Sequence, residues 1–243
     1  MKIYTENDRR VKFLGDIHWN FNDLIFNMNR GLLKDTIIIQ VGDFGVGFKY
    51  IEKTKSILRA INKQLVETNN TLYVFRGNHD DPSYFNGVNV LKFTNIIFVA
   101  DYTIIEALNH RILCIGGAVS IDQVHRVAGK TWWRGENVFY DEMIEQAHDI
   151  DIVATHTVPL EFEPPLDMKV PILEHYGLLQ PWLEDELQKE RELMTEILIT
   201  LKKNNPIKEW YYGHFHNTFI EEINGVKTYG LDINEYRELY DNK

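Results

Sequence analysis

Five short clusters in this chain carry side chains able to do chemistry. They read GDIH (Asp16, His18), VGD (Asp43), RGNHD (Asn78, His79, Asp80), ATH (His156) and GHFH (His214, His216). An imidazole can serve as a core side chain, a proton carrier or a metal ligand. Pooled, the clusters offer a mixed oxygen and nitrogen donor set without thiolate. Such a set suits Mn²⁺, Fe or Zn²⁺, with Ni²⁺ a further alternative, rather than Mg²⁺ or Ca²⁺ in an all-oxygen cage. Two aspartates, one asparagine and at least four histidines, seven ligating side chains, are too many for one ion that keeps an open position. They suit two divalent metal ions sharing a bridging carboxylate, Mn²⁺ being the first expectation. Ions ~3.5–4 Å apart can orient and deprotonate a water between them while neutralising a phosphate.

The elements that must position these side chains come next. Each cluster ends a short apolar run: VKFLGDIH, TIIIQVGD, TLYVFRGNHD, IDIVATH and EWYYGHFH. The runs are rich in β-branched and aromatic residues and read as buried strands. The polar clusters then fall at strand C-terminal ends, where open α/β sheets bind ligands. Helical patterns cover residues 20–33, with Asn20 or Asn22 as cap, 49–66, and 181–203. The last has Pro181 at its start, acidic residues in its first turn and lysines in its last. Residues 96–119 read as three further strands. FIEEING and VKTYGLDI read as a hairpin turned by Asn224-Gly225. The proline-bearing stretch 157–180 reads as an irregular excursion that overhangs the site. No repeat or linker divides the chain, so residues 1–243 are expected to form one α/β domain.

Every cluster also has a plain reading. GDIH could be a turn with a capping aspartate, and Asp43 another turn residue. GDFGVG is glycine-rich but lacks the lysine of a phosphate-cradling loop. Asn78 tolerates turn geometry, and a lone His156 behind a strand is usually structural. His110, His125, His148 and His175 have no spacing partner and read as surface or structural. His125 and His175 nevertheless lie in segments that could reach the site. The plain readings together require five coincidences in a fixed order.

In that order the clusters resemble the calcineurin-like metallophosphoesterase superfamily: D-x-H, G-D, G-N-H-[D/E], a histidine, then G-H-x-H. The resemblance runs from about residue 11 to 233 and points to a small bacterial and phage branch. It implies a four-layer α-β-β-α sandwich of two mixed sheets. It implies one metal on Asp16, His18 and His216, a second on Asn78, His156 and His214, and Asp43 bridging both. A bridging hydroxide would attack phosphorus in line. His79 would touch the phosphate and protonate the leaving oxygen, and Asp80 would orient His79. The implied function is hydrolysis of a phosphomonoester or a (cyclic) phosphodiester, with a nucleotide among the candidate substrates.

Alternatives on the same fold are a Ser/Thr-type protein phosphatase, a nuclease, or a non-catalytic scaffold. Such protein phosphatases extend the second block as GDxxxRG, with a phosphate-gripping arginine, whereas this chain reads GDFGVGF. Another cation is therefore expected to hold phosphate. The substrate-binding candidates are Arg76, Arg126, Trp132 and Trp133, the last three in GGAVSIDQVHRVAGKTWWRGE. Adjacent tryptophans amid basic residues suit base stacking or substrate covering, or the anchoring of the loop to the core. A scaffold should have lost ligands, and none is missing.

Bulk properties narrow the field further. The chain has 243 residues, 44% of them hydrophobic, and a net charge of −10. That acidity counts against extended nucleic-acid binding, which needs many cations to replace counterions. A single cysteine, Cys114, excludes an internal disulfide and suits a reducing compartment. Cys114 itself reads as a buried strand residue. MKIYTENDRR has no apolar signal-like run, and no segment approaches the ~20 apolar residues of a membrane span. The expectation is a cytoplasmic protein without a membrane partner.

Overall fold

A computed structural model describes residues 1–6, 8–48, 51–164 and 170–240. Its strands are β1 (Ile3–Thr5), β2 (Arg10–Leu14), β3 (Thr36–Gln40), β4 (Thr71–Val74), β5 (Ile96–Phe98), β6 (Thr103–Ala107), β7 (His110–Ile115), β8 (Ile152–Thr155), β9 (Glu209–Tyr212), β10 (Phe219–Ile223), β11 (Val226–Gly230) and β12 (Tyr236–Leu239). The α-helices are α1 (Asn22–Asn29), α2 (Ile51–Glu67), α3 (Val170–Leu179) and α4 (Leu183–Asn204). No helix among the described residues is long and apolar enough to cross a membrane.

The strands form two mixed sheets. One has seven strands in the order β1-β6-β7-β8-β9-β11-β10, the other five in the order β12-β2-β3-β4-β5. In the smaller sheet β2, β3, β4 and β5 run parallel, with β12 antiparallel on β2. In the larger sheet β7, β8, β9 and β11 run parallel. Parallel strands covered on both faces need apolar residues at every position. This explains why TIIIQ is buried throughout.

Side-chain alternation sorts the core into three layers. Ile37 and Ile39 of β3 face Ile112, Cys114, Ile152 and Ala154 of the other sheet. Ile38, between them, faces Leu24 of α1 and Leu58 and Ile61 of α2. On the far side, Leu113, Val153 and Trp210 pack against Met194, Ile197 and Leu201 of α4. The result is the four-layer α-β-β-α sandwich. Phe13 of β2 stacks on Tyr211 of β9 at 3.6 Å between ring centroids, and Tyr211 on Tyr229 of β11 at 4.6 Å, binding the two sheets together. Each fully buried side chain of this size is worth about 1.5–3 kcal/mol relative to exposure.

Several local expectations change. Phe21, not Asn20 or Asn22, caps α1, and no side chain bonds the free amides there. Stretch 157–180 is not irregular throughout: it contains a 3-10 turn, Leu160–Phe162, and the ten-residue α3. The start of the 49–66 helical pattern, residues 49 and 50, lies outside the described residues, as do 165–169 of the excursion. Strands β1 and β12 were not expected. The Asn224-Gly225 turn is present, with φ of 52° and 74°, the left-handed pair that a two-residue hairpin requires. Cys114 is fully buried on β7, and burial pushes its thiol up.

Candidate metal centre

The five clusters do fall at the C-terminal ends of β2, β3, β4, β8 and β9. The first three leave the five-stranded sheet and the last two the seven-stranded one. Gln40, the last residue of β3, ties two of the loops together. Its amide NH₂ donates to the carbonyls of Gly15 and Gly42, and its Oε1 accepts from Gly42 N–H. The amides of Ile17 and His18 both donate to the carbonyl of Asp43, at 3.1 and 2.8 Å. Thus GDIH and VGD are one hydrogen-bonded unit before any side chain is considered.

Two of the block glycines have a steric reason. A Cβ on Gly77 would lie 2.1 Å from Asp43 Oδ1, and one on Gly213 would lie 2.2 Å from Asp16 Oδ1. Only hydrogen fits where the backbone passes the carboxylates. Four of the seven expected ligands also hold left-handed backbone: His18 (φ 48°), Asp43 (54°), His214 (67°) and His216 (47°). Each such residue costs on the order of 1 kcal/mol, and strain of this kind collects at functional sites. The chain past β9 is therefore bent rather than extended. Phe215 turns into the core between the two histidines.

The side chains converge around Asp43. Its Oδ2 lies 3.7 Å from His18 Nε2, and its Oδ1 lies 3.2 Å from His156 Nε2. On the first side, Asp16 Oδ2 is 3.0 Å from His216 Nε2 and 3.6 Å from His18 Nε2. The two imidazole nitrogens of His18 and His216 are 2.8 Å apart. One ligand atom each from Asp16, His18, Asp43 and His216 falls within a 4.8 Å cluster. On the second side, Asn78 Oδ1 is 3.1 Å from both His156 Nε2 and His214 Nδ1. Ser120 Oγ accepts from Asn78 Nδ2 at 3.1 Å and fixes which way the amide faces.

This donor set fits a divalent cation. Asp16 and Asp43 are buried, and among the described residues their ion-pair partners are histidines, with no lysine or arginine. Two close carboxylates out of water need positive charge beside them. Burial works to raise both carboxyls, yet the nearby imidazoles outweigh it and hold both low, His156 first in each case. His156 answers in kind: burial would lower it, but Asp43 and Asp16 push it up to about 9. His214 is driven well down by burial and by His156.

The comparisons with known proteins follow the same line. The family model described as calcineurin-like phosphoesterase matches residues 9–218. The chain belongs to that family. A search of curated proteins finds no match. Among solved structures, the chain is similar to a candidate 5′-nucleotidase from Staphylococcus aureus crystallised with α-ketoglutarate. The two share 13% identity at a TM-score of 0.42, over 93% of this chain and 49% of that one. The chain thus spans about half the length of that neighbour.

The remaining expected site residues divide. Asp80 does not orient His79. Its two oxygens accept from the amides of Phe44, Gly45, Val46 and Gly77 at 2.7–3.1 Å, which pins the VGDFGV loop to the RGNHD loop. Burial and Asp43 push its carboxyl up to about 6 against those amides. His79 does reach the centre, with Nε2 4.0 Å from Asp43 Oδ2 and its own amide donating to Asp43 Oδ1 at 2.7 Å. What meets its imidazole is Arg126, whose Nη2 donates to Nε2 at 2.6 Å. Phe48 stacks on its ring at 4.8 Å.

Arg126 also donates to the carbonyl of Asn78 and pairs with Asp122, so it stands beside the site as expected. Arg76 does not. Its guanidinium is spent on Asp101 and the carbonyls of Gly135, Glu136 and Asn137, and it is buried. It fastens the 135–137 segment and spends four of its five N–H groups on these partners. Trp133 approaches Phe48 at 6.1 Å, one ring removed from His79, while the Trp132 side chain lies beside the buried Glu136. Neither tryptophan lines the cavity over the centre.

That cavity measures about 1030 Å³. Asp43, Asn78, His79, His214 and His216 form its floor, with Arg126 and Arg191 on its walls and α3 across its top. Sequence reasoning missed Arg191, Gln180 and Ser120. Arg191 sits mid-helix on α4, where a charge reads as solvated surface. It is in fact buried, bonded to Thr157 Oγ1 and the carbonyl of Val158, with its guanidinium 4.7 Å from the Phe215 ring centroid. Gln180 accepts from Val124 N–H and donates to the carbonyl of Ile121, joining the 116–136 loop to the end of α3. No spacing in the sequence announces either contact.

Proposed function

We propose that the protein is a dinuclear-metal phosphoesterase that hydrolyses a phosphomonoester or a (cyclic) phosphodiester. The observation that carries the reading is the position of Asp43, with one carboxylate oxygen turned to each group of donors. Asp16, His18 and His216 would hold one cation, Asn78, His156 and His214 the other, and Asp43 both. When bound, the two ions, Mn²⁺ in the first instance, supply activation of water and neutralisation of phosphate charge.

The protein's own groups do the rest. His156 is held by the Val41 carbonyl with Nε2 directed inward. Arg126 is the cation that takes the place of the arginine missing from GDFGVGF. Were Arg126 to turn from His79 to a phosphoryl oxygen, His79 Nε2, which accepts from that arginine here, would be free to take up a proton from water and then pass it to the ester oxygen as the bond breaks.

The test is a panel assay on protein loaded with Mn²⁺, Fe²⁺, Zn²⁺ or Ni²⁺. It compares mono- and bis-p-nitrophenyl phosphate, nucleotides, cyclic nucleotides and a phosphopeptide. Hydrolysis of at least one ester, with about two bound metals per chain, is expected. Failure of every metal on every ester overturns the reading.

A further inference from the structure

The floor of the cavity accounts for a phosphate, but most of its walls do not. Inorganic phosphate and its contacts occupy a small part of about 1030 Å³, a volume at the upper end of pockets that enclose drug-sized ligands. Above the polar floor the lining turns apolar. Ile121 and Leu160 stand on one side, Ile172, Leu173 and Tyr176 of α3 above, and Leu187 of α4 opposite.

The helix α3 itself reads VPILEHYGLL. It leaves Ile172 49% and Leu178 85% exposed, and both line the cavity. Apolar lining thus includes residues that also reach the surface. Scattered exposed leucines need no explanation, but an apolar wall joined to a reactive floor marks a ligand surface. Of the acidic lining residues, Asp122 and Glu163 pair with Arg126 and Arg191, and Glu174 and Glu184 are exposed. Arg126 and Arg191 lie at the walls, already paired with Asp122 and with Glu190 and Glu163. The exposed Glu174 and Glu184 disfavour an anionic group at the open side of the cavity.

Resting on the phosphoesterase reading above, we propose that this cavity binds the esterified alcohol of the substrate, and that the alcohol is a bulky, uncharged, apolar group. The phosphoryl group sits on the floor beside Asp43 and Asn78. The apolar group lies under α3, between Tyr176 and Leu187, with its end toward Leu178. A polyanionic chain such as a nucleic acid would meet the exposed Glu174 and Glu184 instead.

The experiment measures affinity, so it does not depend on turnover. Calorimetric titration of the Mn²⁺-loaded full chain uses inorganic phosphate and methyl-, butyl- and octylphosphonate. Burial of each added methylene should tighten binding by about two- to four-fold until the wall is filled. A carboxylate at the far end, as in 8-phosphonooctanoate, should lose most of that gain. The Ile172→Asn/Leu187→Asn variant, altered at two incompletely buried positions, should flatten the dependence on chain length. That slope is independent of the fraction of protein that is folded. Equal affinity for methyl- and octylphosphonate while inorganic phosphate still binds would overturn the proposal alone. Absence of phosphate binding together with failure of the ester panel would overturn the phosphoesterase reading, and this inference with it.

Discussion

The Nδ1 of His156 lies 2.8 Å from the main-chain carbonyl oxygen of Val41. A ring nitrogen that donates there keeps its proton, leaving the lone pair on Nε2 facing Asn78 and Asp43. His156→Ala should therefore lower bound metal from about two ions toward one and cut turnover at least a hundred-fold. Metal content by mass spectrometry checks the first part and steady-state kinetics the second. Full metal occupancy in the variant would remove His156 from the ligand set.

Asp43 faces both groups of donors, so its loss should be felt by both. Asp43→Asn keeps the shape and removes the charge. It should abolish hydrolysis of p-nitrophenyl esters with Mn²⁺ present and weaken metal binding throughout. Undiminished turnover would show that Asp43 does not bridge.

Two buried arginines should behave in opposite ways. Arg126→Ala should raise KM or lower kcat/KM by ten- to a thousand-fold with a small change in unfolding midpoint, since it stands at the cavity wall against His79. Arg76→Ala should leave Asp101 buried without its cation and cost about 3–5 kcal/mol of stability. Urea unfolding beside kinetics separates the two. A KM effect for Arg76 without loss of stability would contradict its structural assignment.

Gly213→Ala tests steric clearance alone, because that glycine does not hold a left-handed backbone. The new methyl meets Asp16 Oδ1 at 2.2 Å. Displacing it should cost about 1–3 kcal/mol and reduce metal affinity together with stability. Thermal unfolding with and without Mn²⁺ reads both, and a wild-type metal-induced rise in Tm would argue against the contact.

Burial pushes the carboxyl of Glu136 up to about 7 from an ordinary 4.5. Between those values the folded protein binds more protons than the unfolded chain, so stability falls as pH rises through this window. The loss is about 3 kcal/mol at most. Glu136→Gln keeps an acceptor for Ser120 N–H, donated at 3.1 Å, and removes the titration. Urea midpoints at pH 5 and pH 8 should therefore move in favour of the variant at the higher pH. An equal difference at both values would refute the assignment.

The strands that carry ligands were legible because burial on both faces demands runs such as TIIIQ and TLYV, and polar residues appear only where each run ends. The missed strands lack that demand. β12 is YREL on an edge, paired with β2 and held by an ion pair of Glu238 with Lys12 at 3.5 Å. The residues that the resemblance named as ligands do converge around Asp43, whereas the contacts expected of Asp80 and Arg76 are made elsewhere. A carboxylate next to a histidine in sequence need not touch it, and here four backbone amides compete for the Asp80 oxygens. Arg191 was invisible for a related reason. Its neighbours Glu190 and Leu187 give it the pattern of a surface position, and only the packing of Thr157 against α4 buries it.

The two-sheet origin of the centre has a consequence for how the protein acquires its ions. As the chain leaves the ribosome, the donors on the five-stranded sheet, Asp16, His18, Asp43 and Asn78, are made first. His156 follows far later, and His214 and His216 later still, on a strand of the other sheet. A half-made chain would therefore offer an incomplete set of donors, and a two-ion centre of the proposed kind would be completed only once the second sheet has docked.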